Sequence, residues 1–443
     1  MATASLRRGL SLLGVVALVA GNMMGTSLYT LPASLADVAG PLGLVAWVVT
    51  AAGYFCVAEV YASLGSRFPL SGGPYVFARR AFGEFAGFQS VWAYWLSAVV
   101  GNAGIVTGIV AYAAGLWPAL GASALVQFAA AQVLLWGLCF VNVLGVRHGA
   151  RLQIVVVLLA LVPLLSIGVL ALGHFDRANL SPFAPNGLAS LATGAALVVW
   201  AYSGVESATV PAEEVNVPGR DIRLGTRLGY AVATAVFLLT AFATTGAMPR
   251  ETIASTPRPL ALVALETAGP LAATTLSTAA IVAGMGTLNG WILMTGRIPL
   301  TAAREGLFFQ RLALIHPRFG TPHVALITGT AVASAMCTLY FEHSLLRAFN
   351  FIVLLAVLTT LLPHLYAAAA EWWLARSTGS GMTRRQRRRS LVVAPLAFVF
   401  LLYTIYGVGA EVALWGLLAT LAGIPLYIVF TTQDPTRTAR VDG

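Results

Sequence analysis

Gly21-Asn22-Met23-Met24-Gly25-Thr26-Ser27 interrupts an apolar run that spans residues 9–34. Each glycine weakens a helix by about 1 kcal/mol. Thr26 and Ser27 can draw hydrogen bonds away from the helical ladder. At membrane depth, unwound backbone survives only where protein or a cavity surrounds it. The freed N–H groups and the N-terminus of the second half-helix then make a site for a carboxylate. A second interruption, Ala201-Tyr202-Ser203-Gly204-Val205-Glu206-Ser207, lies in the apolar run 187–209. Small residues also serve close helix packing, so one interruption alone is open to that reading. Two at corresponding positions point to broken helices.

Outward from these stretches the chain stays apolar. Hydrophobic residues make up 58% of the 443, and charged residues only 9%. A soluble domain carries roughly 25% charged residues. Water-soluble domains and disorder are therefore excluded, and lipid is the solvent for most of the surface. A spanning helix needs about 20 apolar residues. The runs predict an all-α polytopic membrane protein with 12 transmembrane helices at 9–34, 41–64, 84–113, 123–144, 150–173, 187–209, 226–247, 269–296, 324–342, 346–372, 390–409 and 412–431. Arg7-Arg8 before the first run resembles a signal peptide, but that run is longer than a signal core, so it reads as a retained span. The interrupted spans are the first and sixth. That is the correspondence expected of a 5+5 inverted repeat with substrate at its interface. The expected organisation is one transmembrane unit, 1–443. Its first repeat is 1–173, its second repeat 187–372, and two additional helices occupy 390–431.

All 26 basic residues are arginine, and the net charge is +10. With 12 spans, 22 arginines fall on the side of the termini and 4 on the other. The positive-inside rule then makes both termini cytoplasmic. The arginines sit between apolar runs, so they do not point to nucleic acid. Thr383–Arg389 reads as a solvated cytoplasmic loop that can also touch anionic lipid headgroups. Cys56, Cys139 and Cys337 lie within apolar runs at spacings that match no metal site, so no metal and no cofactor are expected.

Ionisable residues inside spans face the protein interior and tend to be functional. Glu206 is a carboxylate well inside an apolar run and could bind and release a proton, or be neutralised by a cationic substrate. The third span holds Tyr94, Trp95, Ser97 and Asn102, with Tyr94 and Asn102 within about 80° of each other around a helix. Trp200 and Trp291 could stack on a cation or an aliphatic stem. His364 follows Pro363 in the tenth span.

Taken in order, these residues resemble a known group. The set runs from Gly21–Ser27 with Leu31-Pro32, through Ser71-Gly72-Gly73-Pro74-Tyr75, Tyr94-Trp95 and Gly101-Asn102. It continues with Trp200, Gly204-Val205-Glu206-Ser207-Ala208 and Gly290-Trp291. It resembles the amino acid–polyamine–organocation superfamily, most closely the basic amino acid/polyamine antiporters that include the arginine/agmatine exchangers. The resemblance implies a LeuT-type fold, broken helices 1 and 6, and often a homodimer. It implies that the backbone around Asn22, Met24, Thr26 and Ser27 takes the substrate carboxylate. Carbonyls from Trp200 and Ala201 to Ser203 would take the amino group. Asn102 and the backbone at Ser97 and Ala98 match positions that hold a distal guanidinium. Trp291 matches the residue that stacks on the substrate stem, and Trp200 the outer gate. Tyr94 and Glu206 match an inner gate. Several positions depart from the exchangers: Gly25-Thr26-Ser27 stands for Gly-Ser-Gly, Ser203 for isoleucine, Ala356 for a guanidinium-binding serine and His364 for a gate tyrosine.

The expected function is amino acid exchange across the inner membrane, for a cationic amino acid or its decarboxylated amine. The alternative is a neutral amino acid permease or exporter, proton-linked through Glu206. An enzyme is disfavoured because no paired carboxylates, metal cluster or Ser/His/Asp set is evident. A channel fits two broken helices less well than alternating access does.

Overall fold

The structure, a computed structural model, describes residues 9–145, 149–338, 345–377 and 381–432. Among them regular structure is helical, and the one β-type pairing is an isolated bridge between Leu10 and Val215. Nine helical stretches among the described residues are long and apolar enough to cross a membrane; Leu161–Leu172 and His323–Met336 are shorter apolar helices. The protein is thus a multi-pass α-helical membrane protein.

The first apolar run folds as α1 (Leu12–Met23) and α2 (Thr26–Val38), separated by Met24 and Gly25. Next come α3 (Gly43–Arg67), the short α4 (Pro74–Phe82), α5 (Glu84–Leu116), α6 (Ala124–Leu144) and α7 (Gly149–Leu172). The second broken segment starts as α8 (Ser190–Tyr202) and continues in turns and 3-10 segments to Glu214. Then follow α9 (Pro218–Ala247), the short α10 (Arg250–Ala254) and α11 (Pro259–Arg304), kinked at Gly269 where φ is 81°. The chain closes with α12 (His323–Met336), α13 (Leu345–Arg376), α14 (Arg384–Gly407), α15 (Ala410–Leu421) and α16 (Gly423–Thr432).

Local sequence accounts for several of these ends. The Ser11 hydroxyl accepts from the Gly14 N–H and caps α1, and Ser123 does the same for α6. Pro218 and Pro259 open α9 and α11, where a missing N–H costs nothing. Gly145 ends α6 at φ 75°, a left-handed cap that suits glycine. The expected loop Thr383–Arg389 is instead the start of α14. Thr383 and Gln386 form a reciprocal capping box, so the helix begins before the charged run rather than after it.

The middle of the bundle is aromatic. Tyr29, Trp47, Tyr54, Tyr61, Tyr94 and Tyr202 are all buried. Around them α5 packs along α11 and α13, and α3 packs along α9. Outside, large apolar side chains stand exposed on α6, α14 and α15, among them Val133, Phe140, Val399, Leu414 and Trp415. In water such a surface would aggregate. In lipid it is the ordinary outer face, which explains the scarcity of charge in the sequence.

Candidate functional site

The break between α1 and α2 is two residues long. Met24 leaves the helix at φ −85° and ψ 38°, and Gly25 is extended at φ −76° and ψ −153°. No side chain caps α2, so the N–H groups of its first turn lack the usual side-chain acceptor. Thr26 and Ser27 in that turn are buried. A Cβ on Gly25 would lie 2.6 Å from the Thr287 methyl of α11, so glycine is there for space rather than for an unusual φ. Thr287 also donates from Oγ1 to the Gly21 carbonyl at 3.1 Å, which ties α11 to the end of α1. The Ser27 hydroxyl donates to the Met23 carbonyl at 3.3 Å across the break.

The second break meets the first. After Tyr202 the chain turns extended at Ser203, and Gly204 takes φ 115°, a left-handed region that side chains resist. A Cβ there would sit 2.9 Å from Asn22 Cβ and 3.0 Å from its carbonyl carbon. The Asn22 amide donates to Ser207 Oγ at 2.8 Å and joins segments 185 residues apart. The other end of that amide, Oδ1, is buried without a hydrogen-bond partner among the described residues and points to Gly290, next to Trp291.

Beside the breaks runs α5. The Trp200 indole lies over Gly101 and Gly104, where added Cβ atoms would be 3.0 and 3.5 Å from the ring. One turn further, Gly108 gives room to the Thr26 side chain. Glycines at 101, 104 and 108 thus form one helix face on which both broken segments rest. Asn102 is 1% exposed and neither atom of its amide has a partner among the described residues; Thr26 Oγ1 and Trp200 Nε1 are likewise buried and unpartnered among them. Unpartnered polar atoms are costly in an apolar interior. Asn22, Thr26 and Trp200 border the junction itself, and Asn102 follows Gly101 on the helix that carries it.

Towards the arginine-rich end lies a second cluster. Tyr94 donates to Glu206 Oε1 at 2.9 Å, and the Gly204 N–H donates to Oε2 at 3.1 Å. His364 Nε2 stands 3.9 Å from Oε2, and His364 Nδ1 is 2.7 Å from the Tyr61 hydroxyl. Glu206 is fully buried and His364 is 1% exposed. Tyr94 also meets Trp291 edge-on, with ring centroids 6.5 Å apart. The cluster therefore bolts α3, α5, α13 and the segment after α8 together beneath the breaks. Beyond it opens a cavity of about 570 Å³, flanked by the ion pairs Glu214–Arg297 at 2.9 Å and Arg79–Glu305 at 2.6 Å. Tyr75 of α4 donates to Glu305 as well; burial, followed by that bond, raises its phenol above the ordinary range.

The remaining expected positions vary in their involvement. The Ser97 hydroxyl donates to the Tyr94 carbonyl at 2.9 Å, and that of Ser203 to the Val199 carbonyl at 3.3 Å, so both are internally engaged. Ala98, Ala201 and Ala356 are buried and offer no polar side chain; the Ala356 carbonyl accepts from Thr359 at 3.0 Å. Met24 is buried at the break itself. Three participants escaped the sequence reading: Tyr61, Ser207 and Thr287. Ser207 closes the quoted second interruption, which was a usable signal. Tyr61 and Thr287 sit in regular helical stretches that carry no local mark.

With this geometry in view, the chain matches the amino acid permease family model over residues 10–432, and it belongs to that family. It is similar to a cadaverine/lysine antiporter of Escherichia coli strain K12, 29% identical over 81% of this chain and 82% of the relative. It is similar to an arginine/ornithine antiporter of Pseudomonas aeruginosa, 26% identical over 93% and 89%. A putrescine transporter of Haemophilus influenzae is 25% identical over 92% and 93%. The family is one of transporters, not of enzymes.

Proposed function

We propose that this chain is an antiporter that exchanges a cationic amino acid for another or for its decarboxylated amine, by alternating access. The observation that carries this reading is the junction of the two breaks at Asn22, Gly204 and Ser207, with buried unpartnered polar atoms around it. The α-carboxylate belongs at the uncapped N-terminus of α2, on the N–H groups of Thr26 and Ser27 beside Met24. The amino group belongs on carbonyls at the end of α8, from Trp200 through Ala201 to Ser203. The side-chain cation reaches Asn102, past Ser97, Ala98 and Ala356, while Trp291 stacks on the stem and Trp200 covers the outer side. Tyr94, Glu206 and His364, with Tyr61, form the inner gate. The names of the relatives support cationic substrates, since they pair arginine with ornithine and lysine with cadaverine.

The same geometry gives a reason for exchange. Closing the breaks around a cationic substrate supplies donors to the acceptors Asn102 Oδ1, Asn22 Oδ1 and Thr26 Oγ1. Closing them without one leaves those groups desolvated, at about 1–3 kcal/mol each. Crossing loaded is then faster than crossing unloaded, which is the condition for antiport. No cofactor enters this cycle.

The architecture that goes with this reading has twelve spans in a LeuT-type 5+5 inverted repeat. Residues 1–173 and 187–372 are the repeats and 390–431 the two additional helices. The protein sits in the inner membrane with both termini cytoplasmic, on the arginine bias, and the homodimer common in the superfamily is the assembly expected. The test is uptake of labelled arginine, lysine or ornithine into proteoliposomes. Uptake into vesicles loaded with a cationic amino acid or diamine, but not into unloaded ones, is the expected result. Equal uptake into both, or counterflow with neutral amino acids alone, would overturn the proposal.

A further inference from the structure

Away from the breaks, a cavity of about 360 Å³ opens between α3, α9, α13 and α14. Four guanidinium groups line it: Arg223, Arg227, Arg385 and Arg389. The acids there are already engaged. Glu59 takes Arg227 through both carboxylate oxygens, at 2.8 and 2.7 Å, and Arg389 at 2.8 Å. Glu371 takes Arg67, Ser63 and Ser390. Two cations remain without a carboxylate within 4 Å among the described residues. Arg223 donates only to the Ser66 hydroxyl, at 2.8 Å, and Arg385 shows no ion pair.

Arg385 is also oddly placed for its helix. It stands in the first turn of α14, where the macrodipole is positive and cations are unfavourable. Arg387 escapes this by donating to the carbonyls of Ala375 and Arg376 at the end of α13. Among the described residues Arg385 has no such outlet, and it lines the cavity. An anion there would meet the Arg223 and Arg385 guanidinium groups, with the positive end of the α14 dipole beside it.

The cavity's surroundings say which anion. Its wall includes the apolar Val60 and Val393. On the outer surface of the same helices, Phe55 on α3, Leu228 on α9 and Val392 on α14 are 45%, 48% and 60% exposed. Each lies within about one helical turn of Glu59, Arg227 or Arg389. Three of the helices that wall the cavity thus carry exposed apolar side chains within about one turn of its polar lining residues, the order in which a phospholipid places acyl chains below its headgroup. We propose that this cavity binds the phosphate of an anionic phospholipid, through Arg223 and Arg385, with the acyl chains on the Phe55–Leu228–Val392 face. The site is separate from the substrate junction and does not depend on what the protein transports.

The test uses the full chain, purified and delipidated, then offered phosphatidylglycerol or phosphatidylcholine in mixed micelles, with bound lipid counted by native mass spectrometry. The parent should retain phosphatidylglycerol preferentially. R223Q/R385Q should retain it about 25-fold less, at about fivefold per arginine. R384Q/R388Q removes equal charge from the same helix start outside the cavity lining and should change retention little. Phosphatidylglycerol should also raise the parent's Tm more than phosphatidylcholine does, a reading that needs no variant. Equal retention of the two lipids by the parent, or equal loss in both double variants, would overturn the site. Equal stabilisation of the parent by inorganic phosphate alone and by phosphatidylglycerol would overturn the lipid assignment.

Discussion

Gly25→Ala isolates the contact between the first break and α11. At φ −76° and ψ −153° the backbone of residue 25 suits alanine, so no conformational strain is introduced. The new methyl would stand 2.6 Å from Thr287 Cγ2 and 3.1 Å from its Cβ and Oγ1. Overpacking of this kind costs about 1–3 kcal/mol. Relief requires α2 to move off α11, which displaces the N–H groups of Thr26 and Ser27. Affinity for the carboxylate-bearing substrate should then fall about five- to a hundredfold. Thr287→Ser removes the methyl at 2.6 Å and keeps the hydroxyl that bonds the Gly21 carbonyl. The double variant should therefore recover most of the lost affinity. Isothermal titration with arginine, lysine and ornithine, beside thermal unfolding of each variant, measures both. Parent-like affinity in Gly25→Ala, or no rescue by Thr287→Ser, would refute the reasoning.

Asn102→Ala removes a buried amide with no partner among the described residues, so the ligand-free Tm should hold or rise while cationic substrates bind about five- to a hundredfold more weakly; parallel loss of both would mean simple damage to α5. Trp291→Leu should weaken binding about three- to thirtyfold and Trp291→Phe less, read by the same titration. Tyr94→Phe removes the donor of the 2.9 Å bond, and Glu206→Gln removes the charge and leaves one acceptor oxygen where Tyr94 and the Gly204 N–H use two. Each should alter the transport rate in proteoliposomes, and the double variant should add little to the larger single effect; additive effects would separate the two residues.

Much of the helical frame was legible because lipid imposes a plain rule: long apolar runs, with arginines between them. Where the structure departs from the sequence reading, a short-range signal had been outweighed. At Thr383–Arg389 the charges suggested a solvated loop, yet Thr383 and Gln386 carry the spacing of a capping box and start the helix earlier. At α9 the apolar run begins near residue 226 while the helix starts at Pro218, because a helix extends past its lipid-facing part. The breaks themselves were visible as Gly, Ser and Thr within apolar runs. Their partners were not. Ser207 finds Asn22 across 185 residues, and Tyr61 reaches His364 across 303. Such pairings depend on how the helices cross, which no local pattern encodes. Nor does sequence distinguish the two glycines of the breaks: Gly204 is required by a positive φ, whereas Gly25 is required by the space that Thr287 occupies.

The central claim is that the junction of the two breaks recognises a cationic amino acid or amine. The most direct measurement is thermal stabilisation of the purified protein by each common amino acid and by the diamines putrescine and cadaverine. A ligand at 100 times its Kd stabilises the folded state by about 2.7 kcal/mol, a clear shift in Tm. Stabilisation by arginine, lysine, ornithine or the diamines, diminished in Asn102→Ala, is the result expected. Stabilisation by neutral amino acids alone, unchanged in Asn102→Ala, would contradict it.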